Sequence, residues 1–105
     1  MTVIYEKIAI IGVGLIGASI ALAVRRANLA THIVGCDADE SAVDTVRDLA
    51  FVDEAVTDPV VAVADADLVI MAVPVGAMGG LAASIVPAMK PGAVLTDTGS
   101  TKRSV

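Results

Sequence analysis

An α/β fold, a doubly wound parallel sheet, is what this 105-residue sequence predicts, and three observations predict it. Short β-branched runs alternate with longer Ala-rich segments along the chain, the pattern of successive βαβ units. Apolar residues make up 56% of the sequence but aromatic residues only 2%. Ala, Val, Ile and Leu therefore supply the core, which suits strands covered by helices on both faces. Finally, the first apolar run ends in closely spaced glycines that open a helical segment.

The elements follow in order. Lys7 to Ile11 reads as the first strand and Leu15 to about Asn28 as the helix after it. His32 to Cys36 is the second strand, entering a helix from Glu40 to Asp48 in which Asp39 is the better-placed cap. Phe51 to Val56 is a weaker strand and Pro59 to Ala64 a short helical stretch. Leu68 to Val73 is a fully apolar strand, followed by a helix from Gly76 to Met89 that the Lys90-Pro91-Gly92 turn stops. Met78 and Met89 read as core filler on that helix, and Ala93 to Asp97 is the last strand. No linker, repeat or low-complexity tract interrupts residues 1–105, so they form one domain. The chain stops a few residues past a strand where a fold of this kind supplies at least one more, and the domain is expected to be truncated at its C-terminal end.

Gly12-Val13-Gly14-Leu15-Ile16-Gly17 matches G-x-G-x-x-G. The pattern is weak alone, but here it follows an apolar strand, opens a helix and sits in a βαβ unit of the expected size. Gly12 permits the tight turn, Gly14 lets the backbone approach a pyrophosphate, and Gly17 allows close helix–strand packing. The helix N-terminus beyond Gly14 offers unpaired N–H groups and a positive dipole end. Asp37 stands twenty residues beyond Gly17, at the end of the second strand, the spacing of a carboxylate that binds the adenosine ribose hydroxyls. It would repel a 2′-phosphate, and the run Cys36-Asp37-Ala38-Asp39-Glu40 adds only negative charge. Together these features predict a Rossmann-type site for NAD rather than NADP.

Composition excludes other classes. The net charge of −5 argues against nucleic acid or an anionic membrane as partner. Ile8 to Val24 carries no charge, but it is shorter than a membrane span and contains three glycines. Its arginines, Arg25 and Arg26, follow the apolar run rather than precede it, the reverse of a signal peptide. The single cysteine, Cys36, cannot form an internal disulfide, and the cytoplasm is the expected setting. Cys36 reads as an inert core thiol, His32 as remote from the ligand crevice, and Asp65 and Asp67 as a solvated turn. No metal-ligand cluster is evident. A mean hydropathy of +0.83 suggests that some apolar surface expects a partner.

The stretch from Ile8 to Gly17, the strand end Val34-Gly35-Cys36-Asp37, the run Ala66 to Pro74 and the signature Asp97-Thr98-Gly99-Ser100-Thr101-Lys102 together resemble the prephenate dehydrogenase family, which includes arogenate and cyclohexadienyl dehydrogenases. The resemblance spans essentially the whole chain, and Asp-x-Gly-Ser-x-Lys is its most specific part. It implies an NAD-binding domain of an enzyme of tyrosine biosynthesis, in which hydride transfer to the nicotinamide accompanies loss of carbon dioxide from prephenate or arogenate. By resemblance Ser100 hydrogen-bonds near the substrate hydroxyl and the catalytic histidine, and Lys102 takes a structural or substrate-edge role. Ala72, Val73 and Pro74 match the segment lying along the cofactor ribose. The family's catalytic histidine belongs to a downstream His-Pro motif. Its substrate arginine belongs to a helical C-terminal domain, which also forms the homodimer interface. This sequence contains neither, so the chain is expected to bind NAD without turning over substrate. Two alternatives stay open: the cofactor domain of a β-hydroxyacid or imine-reducing dehydrogenase, and an NAD-sensing module without chemistry.

Overall fold

The computed structural model describes residues 5–12, 14–48 and 52–97, apart from the side chains of Leu15 and Ile16. Five strands, β1 (Tyr5–Ile11), β2 (Ala30–Cys36), β3 (Glu54–Val56), β4 (Leu68–Met71) and β5 (Val94–Asp97), form one sheet in the order β3-β2-β1-β4-β5. Every pairing is parallel. The chain winds outward from β1 in one direction through β2 and β3, then returns to lay β4 on the other side of β1. This reversal makes the carboxyl ends of β1 and β4 a topological switch point, where open α/β sheets bind ligands.

Alternation along the central strands sends side chains to two apolar layers. Ile8 and Ile10 pack with Ile33 against Ala21 and Val24 of α1 (Leu15–Ala27) and Val46 of α2 (Glu40–Asp48). Ala9 and Ile11 face the other way, with Val34 and Val69, against Ala62 and Val63 of α3 (Pro59–Val63) and Ile85 of α4 (Val75–Ile85). Met78 and Met89 are half-buried against this second layer. Among the described residues β5 is the outer strand, and Val94 at its start is 50% exposed. Val60, Val61, Val75 and Val86 are likewise about half-exposed, which is where much of the apolar excess of the sequence goes.

The element boundaries differ from expectation at several places, each with a local cause. β1 and β2 begin two residues early because Tyr5 and Ala30 pair and the Tyr5 amide donates to the Leu29 carbonyl. Helix α1 stops at Ala27 because Asn28 takes a left-handed conformation, φ 56°, and its amide caps the Arg25 and Val24 carbonyls. β3 is only three residues long, because Asp53 closes on Ile33 through both its backbone and its side chain. Phe51 lies outside the described residues. β4 ends at Met71, since Pro74, which lacks an N–H, caps the following helix. That helix does not run to the Lys90-Pro91-Gly92 turn. It ends at Ile85 and tightens into a 3₁₀ turn over Val86–Ala88, because Pro87 cannot donate to the preceding turn.

The solvated turn expected at Asp65 and Asp67 is also corrected. Asp65 is a left-handed turn residue, φ 62°, but Asp67 knits three strands together. Its Oδ2 accepts from the amides of Glu6 at 2.8 Å and Lys7 at 3.1 Å, its carbonyl accepts from Val94, and its Oδ1 pairs with Lys90. The Lys90 bond and the two amides hold the Asp67 carboxyl below its usual range, and Asp67 in turn raises Lys90. Asp53 makes a similar tie at the foot of β3, accepting from the Ile33 amide at 2.8 Å and pairing with Arg25 at 3.2 Å. Burial acts to raise its pKa, but these bonds outweigh burial and hold it low.

Candidate cofactor cleft

The turn from β1 into α1 has the geometry that its glycines predict from steric grounds. Gly12 has φ 94°, and a Cβ there would sit 2.7 Å from the Ala72 carbonyl oxygen. A Cβ on Gly17 would lie 1.8 Å from the Gly12 carbonyl oxygen, so the first turn of α1 presses directly onto the loop that precedes it. The close partner is this loop, with the Ala72 Cβ next at 3.7 Å. Gly14 differs from both. Its φ is an ordinary −66°, and nothing lies within 4 Å of a Cβ built on it. No contact among the described residues requires glycine at 14. Among them the space beside it is open, as a cradle for a bulky ligand would be.

Gly14 is also the N-cap of α1, with no side chain capping the helix and no acidic residue in its first turn. Leu15 and Ile16 begin the helix, so their amides belong to the orphan donors of its first turn. A thirteen-residue helix aims its positive dipole end at this point.

A cavity of about 230 Å³ starts at this loop and runs across the carboxyl ends of the strands. Ile11 and Gly12 line it from β1, and Cys36, Asp37 and Ala38 from the end of β2. Thr57 and Pro59 follow β3, Val73 follows β4, and Ala77 and Leu81 project from α4. The lining is apolar apart from Asp37 and Thr57, a slot suited to a flat heterocycle with polar groups at its rim. Sequence motifs had pointed to Gly12, Asp37 and Val73. Thr57, Pro59, Ala77 and Leu81 were missed, because they carry no spacing rule and meet only through the β3–α3 and α3–α4 packing.

Asp37 is half-buried at the cavity wall. Its Oδ1 accepts from the Asp39 amide at 2.9 Å, and its own amide donates to the Val56 carbonyl at 3.2 Å. Asp39 caps α2, accepting from the Ser41 amide at 2.9 Å, so the two aspartates divide these tasks. Cys36 forms part of the floor and is 1% exposed. Burial, reinforced by the negative charges of Asp37 and Asp58, pushes its thiol up to about 12. It stays a neutral, unreactive thiol at neutral pH. His32 sits far from the cleft, 3.2 Å from Glu54 at an exposed position. Ala72 and Pro74 flank Val73 at the mouth, whereas Ser100 and Lys102 lie outside the described residues. No helix among the described residues is long and apolar enough to cross a membrane.

Comparison with known proteins gives a consistent picture. Residues 20–105 match the family described as prephenate dehydrogenase, nucleotide-binding domain. A cyclohexadienyl dehydrogenase of Zymomonas mobilis is 42% identical over 97% of this chain and 35% of its own length. A crystal structure of prephenate dehydrogenase from A. aeolicus, in complex with hydroxyphenyl propionate and NAD+, superposes with a TM-score of 0.80 at 26% identity, covering 88% of this chain and 32% of that one. Synechocystis arogenate dehydrogenase gives 0.81 at 28% identity, over 88% and 32% of the two chains. The chain spans about a third of the length of these relatives.

Proposed function

The chain belongs to the prephenate dehydrogenase family as its nucleotide-binding domain, and on that premise we propose that the cleft binds NAD for the oxidative decarboxylation of prephenate or arogenate. The observation that carries the proposal is the cavity that begins at Gly12, in the turn leading to the uncapped N-terminus of α1 at Gly14, and carries a carboxylate, Asp37, on its apolar wall. The residues present fit the group. Gly12, Gly14 and the first amides of α1, at Leu15, Ile16 and Gly17, hold the pyrophosphate. Asp37 accepts from the adenosine ribose hydroxyls, and Pro59, Ala77 and Leu81 enclose the adenine. Ala72, Val73 and Pro74 border the path toward the end of β5. When bound, NAD supplies a hydride acceptor. In the complete enzyme Ser100, and at the substrate edge Lys102, orient the reacting hydroxyl beside a histidine supplied by further polypeptide. That polypeptide also supplies the homodimer contacts, and the cytoplasm is the setting.

The test is binding by the chain itself. NADH fluorescence should report a complex, and Asp37→Ala should weaken it by about 1–3 kcal/mol, the scale of hydrogen bonds to a charged acceptor. The chain should reduce no NAD with prephenate or arogenate. An unmutated chain that binds NADP as tightly as NAD, or one that dehydrogenates either substrate alone, refutes the proposal.

A further inference from the structure

Asp37 lines the adenosine end of the cleft, and a second carboxylate, Asp58, stands between two residues that line it; the sequence motif accounts only for the first. β2 and β3 run parallel, with Cys36 opposite Val56. Strands in a sheet lie about 4.8 Å apart, and here the register continues past the strand ends, since the Asp37 amide donates to the Val56 carbonyl. Asp37 thus leaves the sheet one residue beyond this pair and Asp58 two residues beyond it. Thr57 and Pro59, on either side of Asp58, both line the cavity that Asp37 lines. By strand spacing and residue rise, the two carboxylates stand on the order of 10 Å apart or less.

Asp58 is held in place. Its Oδ1 accepts from the Val60 amide at 3.0 Å, and its carbonyl accepts from the Ala62 amide at 3.1 Å, so it caps α3. Both aspartates bear electrostatically on the Cys36 thiol of the cavity floor, where their negative charges add to burial in raising it.

We propose that Asp58 is a second specificity residue of the cleft, disfavouring nucleotides with a phosphate on the adenosine ribose through its fixed charge, while Asp37 does so by contact. This rests on the assignment of the cleft to NAD. The two roles differ physically. Asp37 offers hydrogen bonds that a ribose hydroxyl satisfies and a phosphate cannot. Asp58 lies in the neighbouring loop, past Thr57, and acts at a distance. A 2′-phosphate adds about 1.5 to 2 negative charges at neutral pH. Repulsion over roughly 8–10 Å, at the effective dielectric of about 20 near a protein surface and screened at physiological salt, changes affinity by about three- to tenfold. An adenosine ribose with free hydroxyls adds no charge there and is nearly indifferent to Asp58. The effect also identifies itself by salt. The screening length is about 8 Å at physiological ionic strength and about 3 Å at 1 M, so a field effect fades with salt where a contact persists.

The test measures NADH and NADPH affinities by fluorescence for the unmutated chain, Asp58→Asn, Asp58→Ser and Asp37→Asn, at 0.15 M and 1 M salt. Asn and Ser preserve the α3 cap, so either variant reports if the other folds poorly. The control Asp65→Asn removes the same charge from the opposite edge of the sheet, at a left-handed position that asparagine accepts. The expected result is a three- to tenfold gain in NADPH affinity in the Asp58 variants at 0.15 M, largely lost at 1 M. The same variants should leave NADH within about twofold, and Asp65→Asn should leave the NADPH-to-NADH ratio unchanged. An unchanged ratio in both Asp58 variants, alongside a gain in Asp37→Asn, overturns the role of Asp58 and leaves the NAD assignment standing. A gain that survives 1 M salt, or one matched by Asp65→Asn, also overturns it. Equal NADH and NADPH affinity in the unmutated chain overturns the NAD assignment itself.

Discussion

Gly17→Ala is the sharpest perturbation of the glycine loop, because it adds one methyl group where the backbone leaves no room. The new Cβ would lie 1.8 Å from the Gly12 carbonyl oxygen and 2.8 Å from its carbon. An ordinary contact needs about 3.4 Å, so the first turn of α1 and the loop must separate by roughly 1.5 Å. The obstructing atoms are backbone, and Gly12 is itself fixed against Ala72. Overpacking typically costs about 1–3 kcal/mol and more where nothing can yield, and here about 3–5 kcal/mol is expected. Alanine's better helix propensity returns about 1 kcal/mol. The net loss is about 2–4 kcal/mol, which for a domain of this size lowers the melting midpoint by roughly 10–25 °C. Urea and thermal unfolding followed by circular dichroism measure this. Gly14→Ala is the internal control, because its φ is −66° and its surroundings are open, so it should change stability by less than about 1 kcal/mol. A Gly17→Ala protein that melts within about 2 °C of the unmutated chain would refute the packing argument.

Gly14→Val should leave the circular dichroism spectrum intact but weaken NADH binding by more than about tenfold, since the branched side chain fills the space assigned to the pyrophosphate. Asp67→Asn should flatten the pH dependence of stability. The Asp67 carboxyl is held low in the fold, so its contribution is present above about pH 4 and disappears as pH falls through the lowered folded value. Lys90 is raised, and its contribution is lost only as pH climbs past about 10.4. Unfolding of the variant should therefore differ from that of the unmutated chain at pH 7 and converge with it near pH 2. Cys36, pushed up to about 12, should react with a thiol reagent at pH 8 more than about a hundredfold faster in denaturant than in the native chain. Native labelling at the rate of an exposed cysteine would show that the floor of the cleft is open.

The parts of this molecule that were legible in the sequence are those fixed by local periodicity or by short-range sterics. The β-branched runs gave the strands, and the glycine spacing located the turn at Gly12. The twenty-residue interval put Asp37 on the wall of the crevice. What was not legible depends on partners far along the chain or on proline geometry. Pro87 sits inside an apolar run that reads as continuous helix, yet it forces the 3₁₀ turn. Thr57, Pro59, Ala77 and Leu81 carry no signature, because a cavity wall is defined by neighbours rather than by spacing.

The aspartates show most clearly why position in the sheet decides meaning. Asp53 and Asp67 precede strands, Asp37 and Asp58 follow them, and nothing in their immediate sequence distinguishes the pairs. At the amino edge each carboxylate has backbone amides and a cation within reach, Ile33 and Arg25 for Asp53, Glu6, Lys7 and Lys90 for Asp67. Those groups stabilise the carboxylates by pairing them across up to 61 residues, and their effect is on the fold. At the carboxyl edge Asp37 and Asp58 accept from amides two residues on, that of Asp39 in the loop and that of Val60 in α3, and the charge of each helps to raise the Cys36 thiol on the cavity floor. Asp37 lines that cavity itself, and Asp58 stands between two residues that line it. The direction of the strands separates the two uses: a parallel sheet collects every strand's carboxyl end on one edge, so charges placed there converge on a ligand, while charges placed at the other edge can only bind the sheet to itself.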